Sequence, residues 1–394
     1  MKAGSFCGMV VVNNIFAGGE RAGQFFLLMS CVNVGLVLVN FGHTTFYTRL
    51  LARHGTDKYR WGSDVYNFLL ISTVFSIPVG FGMGYFYNFS LKKIFILTVC
   101  IIFYNVGYVI SGIVRGHEQL TKGFMFQALH HIIWPILFMG TCFLFITDSN
   151  LQYVMLLGTY LLGFIVLGLY AVIWLKNNWE KQGNSSIDWN IRHECISFFI
   201  TSITLVALPY MDKMILGIKK ENLSMLAAYQ GVAMPFTFYD VLMIAIGWVI
   251  LPKLAKLSKN LQMLKNILLK GILFTSIVAI VMWLLSPIAI DKLYSGRFND
   301  YAYLIPYLVL IGSLKVIFSI LSSVIGGQVE SWGVWVFCIG TMIMLIAGVF
   351  GMNYSLNKWG LIGMTIVLAL LWLGRCFIAS GVIIHSYFQK TLPK

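Results

Sequence analysis

The chain has 394 residues, of which 59% are hydrophobic and only 11% are charged. Soluble globular proteins contain about 45–50% apolar and about 25% charged residues, and a single soluble core stops growing near about 250–300 residues. This composition excludes a soluble enzyme, a disordered protein and a disulfide scaffold, and it indicates a polytopic membrane protein. The net charge of +14 lies mainly in short loops, which is typical of cytoplasmic loops and not of a nucleic-acid-binding surface.

Long apolar runs recur along the whole chain. A helix that spans a bilayer needs about 20 mostly apolar residues, and about twelve segments qualify. The predicted spans are 3–17, 22–48, 65–87, 94–114, 123–147, 151–175, 195–216, 225–251, 266–288, 302–326, 333–352 and 358–388. The first is short for a full span. We therefore predict an all-α polytopic membrane protein with about twelve transmembrane helices.

The longest polar stretch, residues 176–194, divides these helices into two groups of six. It predicts an N-terminal lobe at 1–175, a cytoplasmic linker at 176–194 and a C-terminal lobe at 195–394. Lys and Arg are about twice as numerous in the loops on one side of this topology as on the other. Because positive residues are retained in cytoplasmic loops, we expect both termini to be cytoplasmic.

The two halves carry similar short patterns at similar places. Gly23-Gln24-Phe25 opens the second predicted helix, and Ala227-Ala228-Tyr229 opens the eighth. Leu51-Ala52-Arg53 and Leu254-Ala255-Lys256 follow the ends of these two helices. Such echoes predict two parallel repeats related by a pseudo-twofold axis along the membrane normal.

Two of these regions resemble a known family. The segment Asp212-Lys213-Met214-Ile215-Leu216-Gly217, followed by Ala227-Ala228-Tyr229 and Leu251-Pro252-Lys253-Leu254-Ala255, resembles the second-half signature of polysaccharide and O-antigen flippases. Ala17-Gly18-Gly19-Glu20-Arg21-Ala22-Gly23-Gln24-Phe25 resembles the first-half signature. These flippases belong to the multidrug/oligosaccharidyl-lipid/polysaccharide (MOP) exporter superfamily, which has a MATE-like fold.

The resemblance implies two six-helix lobes around a central cavity. It implies that a polyprenyl-pyrophosphate-linked oligosaccharide, such as an undecaprenyl-linked repeat unit, is moved across the bacterial cytoplasmic (inner) membrane by alternating access. A polysaccharide polymerase and a chain-length regulator are the partner proteins it suggests. Coupling to an H⁺ or Na⁺ gradient is expected, with no bound cofactor or metal. The alternative is a cation-coupled multidrug exporter of the MATE type.

Three charged residues lie inside predicted spans of the second half: Asp240, Lys315 and Arg375. A charge at bilayer depth costs about 2.5–3.5 kcal/mol on insertion scales, so such residues usually face a cavity or a partner. Lys315 is expected either to attract an anionic headgroup or to pair with Asp240. Asp240 is expected to be a proton-coupling carboxylate or a structural partner. Arg375 is expected to share the headgroup or to snorkel toward a helix end.

Polar residues also follow one face of the second predicted helix: Ser30, Asn33, Asn40, Thr44 and Tyr47 lie within an arc of about 100°. Two interpretations stay open, hydrogen bonding to sugar hydroxyls in a cavity and hydrogen bonding between helices. His43 lies beside this face and is assigned to the same candidate wall, although a lone His is more often a packing residue.

Four further residues lie near helix ends. Arg49 and Arg115 are placed at the cytoplasmic side, where they are either contacts for a pyrophosphate or topology anchors. Asp212 and Lys213 belong to the family-like signature, where they are either gate residues or helix-end residues. The chain has no GxxxxGK[ST] loop, zinc helix or Gly-x-Ser-x-Gly elbow, so we expect no enzyme activity.

Overall fold

The computed structural model describes residues 2–54, 61–117, 119–145, 148–178, 194–256, 261–329 and 331–388. Within these ranges the secondary structure is helical, with no β-strand. The described part divides into two compact units, Met1–Ala227 and Ala228–Lys394. Fifteen residues of the predicted linker, 179–193, lie outside the described ranges, so the predicted lobe boundaries stay predictions.

The first unit contains the helices of the amino-terminal half. They are α1 (Lys2–Ile15), α2 (Glu20–Asn40), α3 (His43–His54), α4 (Trp61–Phe86), α5 (Leu91–Gly116), α6 (Leu120–Phe145), α7 (Ser149–Asn178) and α8 (Glu194–Gly217). Helix α9 (Leu223–Ala233) begins in this unit. Helix α1 has 14 residues, which agrees with the short first span predicted from the sequence.

The second unit contains α10 (Thr237–Lys256), α11 (Leu261–Tyr294), α12 (Ile305–Gln328) and α13 (Ser331–Phe388). By length and apolar composition, 7 helical segments of the described residues can cross a membrane. The number rises to 8 when the bent pair Lys220–Ala233 and Thr237–Gly247 is taken as one span. This number is lower than the predicted twelve because the first predicted span is short, the eighth is broken, the fifth and seventh are only partly described, and the last two are counted together as Trp332–Tyr387.

The second predicted helix, 22–48, is in fact two helices. Phe41 and Gly42 lie between α2 and α3 with positive φ angles of 47° and 74°. A left-handed backbone cannot continue a right-handed helix, because each helical residue needs a negative φ angle. The polar face predicted from Ser30 to Tyr47 therefore does not lie on one continuous helix.

The eighth predicted helix, 225–251, is also broken. Helices α9 and α10 are separated at residues 234–236 and meet at an angle of 61°. Pro235 lies in this gap and has no N–H group to donate to a helical hydrogen bond. Asp240, predicted deep inside a continuous helix, instead lies in the first turn of α10.

The last two predicted spans form a hairpin. Gly360, with φ 62° and ψ −150°, interrupts the 58-residue helical run of α13. On either side of it, a Cβ atom at Gly351 would lie 3.3 Å from Val367, one at Gly340 would lie 3.2 Å from Ile378, and one at Gly333 would lie 3.3 Å from Val382. Along these contacts the residue numbers of the first arm of α13 decrease as those of the second arm increase. The two arms are therefore antiparallel.

The orientation predicted from the Lys and Arg distribution can be tested with reporter fusions. We expect a reporter placed after Lys394, or inserted between Lys253 and Lys265, to give a cytoplasmic signal, because positive loops stay on that side. A paired alkaline phosphatase and green fluorescent protein fusion at each site measures this. A periplasmic signal at either site would contradict the topology.

Candidate functional site

An ion pair joins α10 to α12 within the second unit. The Lys315 Nζ lies 2.9 Å from Asp240 Oδ1, and the side chains of Lys315 and Asp240 are 14% and 18% exposed. At this distance and burial the two charges neutralise each other and form a charge-assisted hydrogen bond. Of the two interpretations that the sequence left open for Lys315, the geometry is that of the pair with Asp240. Its role in transport stays a prediction.

The ion pair belongs to a longer seam between α10 and α12. The Ser319 hydroxyl donates to the Met243 carbonyl at 2.6 Å, and a Cβ at Gly247 would lie 3.6 Å from Ser319 Oγ and 4.0 Å from Ser323 Oγ. The partners advance together along both helices, so α10 and α12 run parallel. Ser319 and Ser323 therefore form a packing face for α10.

Arg375 lies inside the second unit and does not snorkel. The residue is 2% exposed. Its guanidinium carbon lies 4.2 Å from the centre of the Phe318 ring and 4.7 Å from the centre of the Trp372 ring. Within the part of the chain that the structure describes, Arg375 Nε, Nη1 and Nη2 have no hydrogen-bond partner.

The two rings offset only part of the cost of this charge. A cation held over an aromatic face gains about 0.5–2 kcal/mol, whereas a buried guanidinium without an anion costs several kcal/mol. Lys315 Nζ also lies 5.8 Å from the Trp372 ring centre. The local cluster of Asp240, Lys315 and Arg375 thus carries one negative and two positive formal charges, a net charge of +1.

In the first unit, Asn40 makes contacts between helices. Its Nδ2 donates to Asn105 Oδ1 at 3.0 Å, and Asn105 Nδ2 donates to Ser72 Oγ at 2.8 Å. The Asn40 Oδ1 accepts a hydrogen bond from the Thr44 backbone N–H at 3.2 Å, so the Asn40 side chain stabilises the turn between α2 and α3. These hydrogen bonds join α2, α5 and α4. At Asn40 the polar face therefore makes hydrogen bonds between helices, which was one of the two interpretations left open by the sequence.

Two other polar residues of this face, Ser30 and Asn33, bond within their own helix. Ser30 Oγ donates to the Phe26 carbonyl at 2.8 Å, and Asn33 Nδ2 donates to the Met29 carbonyl at 2.7 Å. His43 stacks on Phe68, with ring centres 3.5 Å apart, and its Nδ1 lies 3.1 Å from the Asn40 carbonyl oxygen. This is the environment of a packing histidine.

The four residues near helix ends are distributed over three helices. Arg115 is in the last turn of α5, and its Nε donates to the Ser111 carbonyl at 3.2 Å. Asp212 is 5% exposed in α8, and the Lys213 ammonium lies 5.1 Å from the Tyr210 ring centre. Arg49 is in α3, and the structure describes its backbone but not its side chain. Their predicted roles stay predictions.

The sequence interpretation missed the aromatic partners of Arg375. Trp372 precedes Arg375 by three residues, and Phe318 follows Lys315 by three residues, so each ring shares a helix face with a buried cation. This spacing was the available signal. No group of three or more His, Cys, Asp or Glu side chains that could hold a metal occurs in the ranges described above.

Comparison with known proteins gives a structural likeness without a sequence match. No protein-family model matches the chain, and no curated protein sequence matches it. The MATE multidrug transporter DinF-BH is 13% identical with a TM-score of 0.63, covering 100% of this chain and 96% of that one. The eukaryotic MATE transporter AtDTX14 is 15% identical with a TM-score of 0.63, covering 98% and 93%.

A third solved structure shows the same likeness in fold. It is an inward-facing conformation of a multidrug resistance MATE family transporter of the MOP superfamily, 13% identical with a TM-score of 0.59, covering 99% of this chain and 94% of that one. All three of these structures are of transporters. The predicted all-helical, multi-pass membrane fold is confirmed, and the chain has a MATE-like fold.

Proposed function

We propose that the chain is a cation-coupled exporter of the MATE type that moves amphiphilic organic compounds across a membrane by alternating access. The MATE-like fold over nearly the whole chain supports this proposal, because similar folds bring a binding site to alternate sides of the bilayer by relative movement of their halves. The observation that carries the coupling step is the ion pair between Asp240 and Lys315 at 2.9 Å.

The coupling mechanism follows from the charges. A proton that binds Asp240 removes the negative partner of Lys315 and leaves the ammonium uncompensated in a low-dielectric interior. The free energy of the α10–α12 seam therefore depends on the protonation of Asp240. A proton gradient can then bias the conformational equilibrium, because protonation stabilises one conformation relative to the other. Sodium binding at the carboxylate would act in the same way.

Inverted membrane vesicles test the transport function. With an imposed pH gradient, we expect the wild-type chain to drive uptake of at least one probe from a panel of cationic, anionic and neutral fluorescent amphiphiles. The Asp240→Asn variant, at equal membrane abundance, should lose at least about 90% of gradient-dependent uptake, because it cannot exchange the proton. Replacing the pH gradient with a sodium gradient identifies the coupling ion. Full uptake by Asp240→Asn would contradict the coupling role.

A second candidate function is the flipping of a polyprenyl-pyrophosphate-linked oligosaccharide. The motifs near Gly23 and Asp212 resemble the signatures of flippases that carry this cargo. The specific observation in its favour is the excess positive charge of Lys315 and Arg375 over Asp240, since a pyrophosphate is an anionic cargo. In the native host, accumulation of undecaprenyl-linked repeat units on deletion, with no vesicle uptake of any probe in the panel, would select this function over the first. Under it, a polymerase and a chain-length regulator are the expected partners.

A further inference from the structure

Phe318 on α12 and Trp372 on the second arm of α13 form a pair of aromatic walls, here called the aromatic clamp. Their ring centres are 5.5 Å apart and their planes meet at 74°. Phe337, on the first arm of α13, lies behind Phe318 with ring centres 5.9 Å apart. The Arg375 guanidinium lies against both clamp rings, at 4.2 Å and 4.7 Å.

The contacts of this guanidinium are unusual for an arginine. A guanidinium has five N–H donors, which normally find carboxylate, carbonyl or hydroxyl acceptors. Among the described residues, none of the three Arg375 nitrogens has a hydrogen-bond partner, and the residue is 2% exposed. Two aromatic faces therefore lie against the guanidinium where hydrogen-bond acceptors would usually lie.

The aromatic clamp has the properties of a site for organic cations. Faces of Trp and Phe within about 6 Å of a positive charge attract it through the ring quadrupole, and aromatic cages bind alkylammonium ligands in this way. In this chain the cation between the rings is the guanidinium of Arg375, which is part of the protein itself. A second cation, Lys315 Nζ, lies 5.8 Å from the centre of the Trp372 ring and is paired with Asp240.

We propose that the aromatic clamp is an organic-cation site that Arg375 occupies from within, and that Arg375 thereby excludes cationic ligands. This proposal deepens the proposed function by assigning uncharged and anionic amphiphiles as the preferred cargo class. Its statement about cargo rests on the proposed transport function. Removing the Arg375 side chain leaves a space lined by the two rings and sized for a guanidinium group. The vacated clamp then accepts small organic cations that the wild-type chain rejects.

Chemical rescue tests the binding step at equilibrium. Ethylguanidinium and N-ethylurea have nearly the same shape and differ in charge. We expect the purified Arg375→Ala variant to bind ethylguanidinium at least about tenfold more tightly than N-ethylurea, by ligand-induced shift of Tm. The wild-type chain should show no preference. The Arg375→Ala/Phe318→Leu variant, which lacks one ring face, should lose most of the preference.

Each outcome decides the proposal. Equal binding of the two ligands by Arg375→Ala, or an unchanged preference in Arg375→Ala/Phe318→Leu, would mean that the ligands only fill a void, and the cation site would be rejected. If Arg375→Ala does not fold, Arg375→Gln is measured in the same way. Failure of both variants to fold would assign Arg375 a purely structural role and overturn the proposal.

The exclusion step has its own measurement. In vesicles, the ratio of cationic to neutral probe uptake should rise at least about tenfold in Arg375→Ala, while Arg375→Lys keeps the wild-type ratio. An unchanged ratio in Arg375→Ala would overturn the exclusion. Equilibrium binding is independent of transport, so a chain that binds as expected but transports no probe contradicts the proposed function and leaves the clamp assignment supported.

Discussion

Replacing Asp240 with Asn should destabilise the folded protein by about 3 kcal/mol, because removal of one partner from a buried ion pair leaves the other charge uncompensated. The pair is 2.9 Å long, with its side chains 14% and 18% exposed, so little solvent is available to the Lys315 ammonium. Arg375, already without an acidic partner among the described residues, would add its charge to the same region. Thermal unfolding of the purified protein in detergent measures the effect.

The matched second variant separates charge from packing. In Asp240→Asn/Lys315→Met both charges of the pair are gone, and we expect most of the stability to return, because replacing a buried pair with neutral side chains is often neutral. Asp291→Asn is the control, since Asp291 is exposed on α11 and should change stability by less than about 0.5 kcal/mol. A double variant as unstable as Asp240→Asn would show that the ion pair is not the cause.

Replacing Gly23 with Ala should strongly destabilise the first unit. A Cβ atom at Gly23 would overlap the Leu223 carbonyl, with the carbonyl carbon 2.6 Å away. Backbone atoms of a neighbouring helix cannot move aside as a flexible side chain can, so the cost should reach about 3 kcal/mol, at the top of the range for overpacking. The yield of monodisperse protein and its Tm measure the change.

Gly82→Ala is the matched control for this variant. Gly82 lies in α4, and a Cβ atom there would meet nothing within 4 Å. Ala is favoured over Gly inside a helix by about 1 kcal/mol, so this variant should be as stable as the wild type or slightly more stable. If Gly23→Ala behaves like Gly82→Ala, the close approach of α2 to Leu223 does not occur in the folded protein.

The sequence predicted the positions of most helices because apolar runs of this length require a lipid environment. It did not predict the two breaks, at Phe41–Gly42 and at residues 234–236, since hydropathy measures burial in lipid and is nearly unaffected by backbone direction. Gly42 and Pro235 were the available signals. The predicted spans 333–352 and 358–388 place the connection between them at residues 353–357, whereas the break in the structure is at Gly360.

For the candidate site, the sequence identified the charged residues inside apolar segments, but it predicted only some of the contacts that these residues make. A charge inside an apolar run is visible without a structure, so Asp240, Lys315 and Arg375 were identified, and the pairing of the first two was one of the stated alternatives. The contact of Asn40 with Asn105 joins residues 65 positions apart. No local pattern specifies such a pair, because the helix packing that brings them together is a property of the whole unit.

The parallel arrangement of α10 and α12 restricts how these helices can shift lengthwise. Since Asp240, Met243 and Gly247 meet Lys315, Ser319 and Ser323 in step, neighbouring registers differ by a full helical turn, about 5.4 Å. One such step would place the Asp240 carboxylate opposite either Ile311 or Ser319, and both would leave the Lys315 ammonium behind. Small axial shifts between α10 and α12 would therefore break these contacts, and we expect the two helices to move together as long as the ion pair is formed.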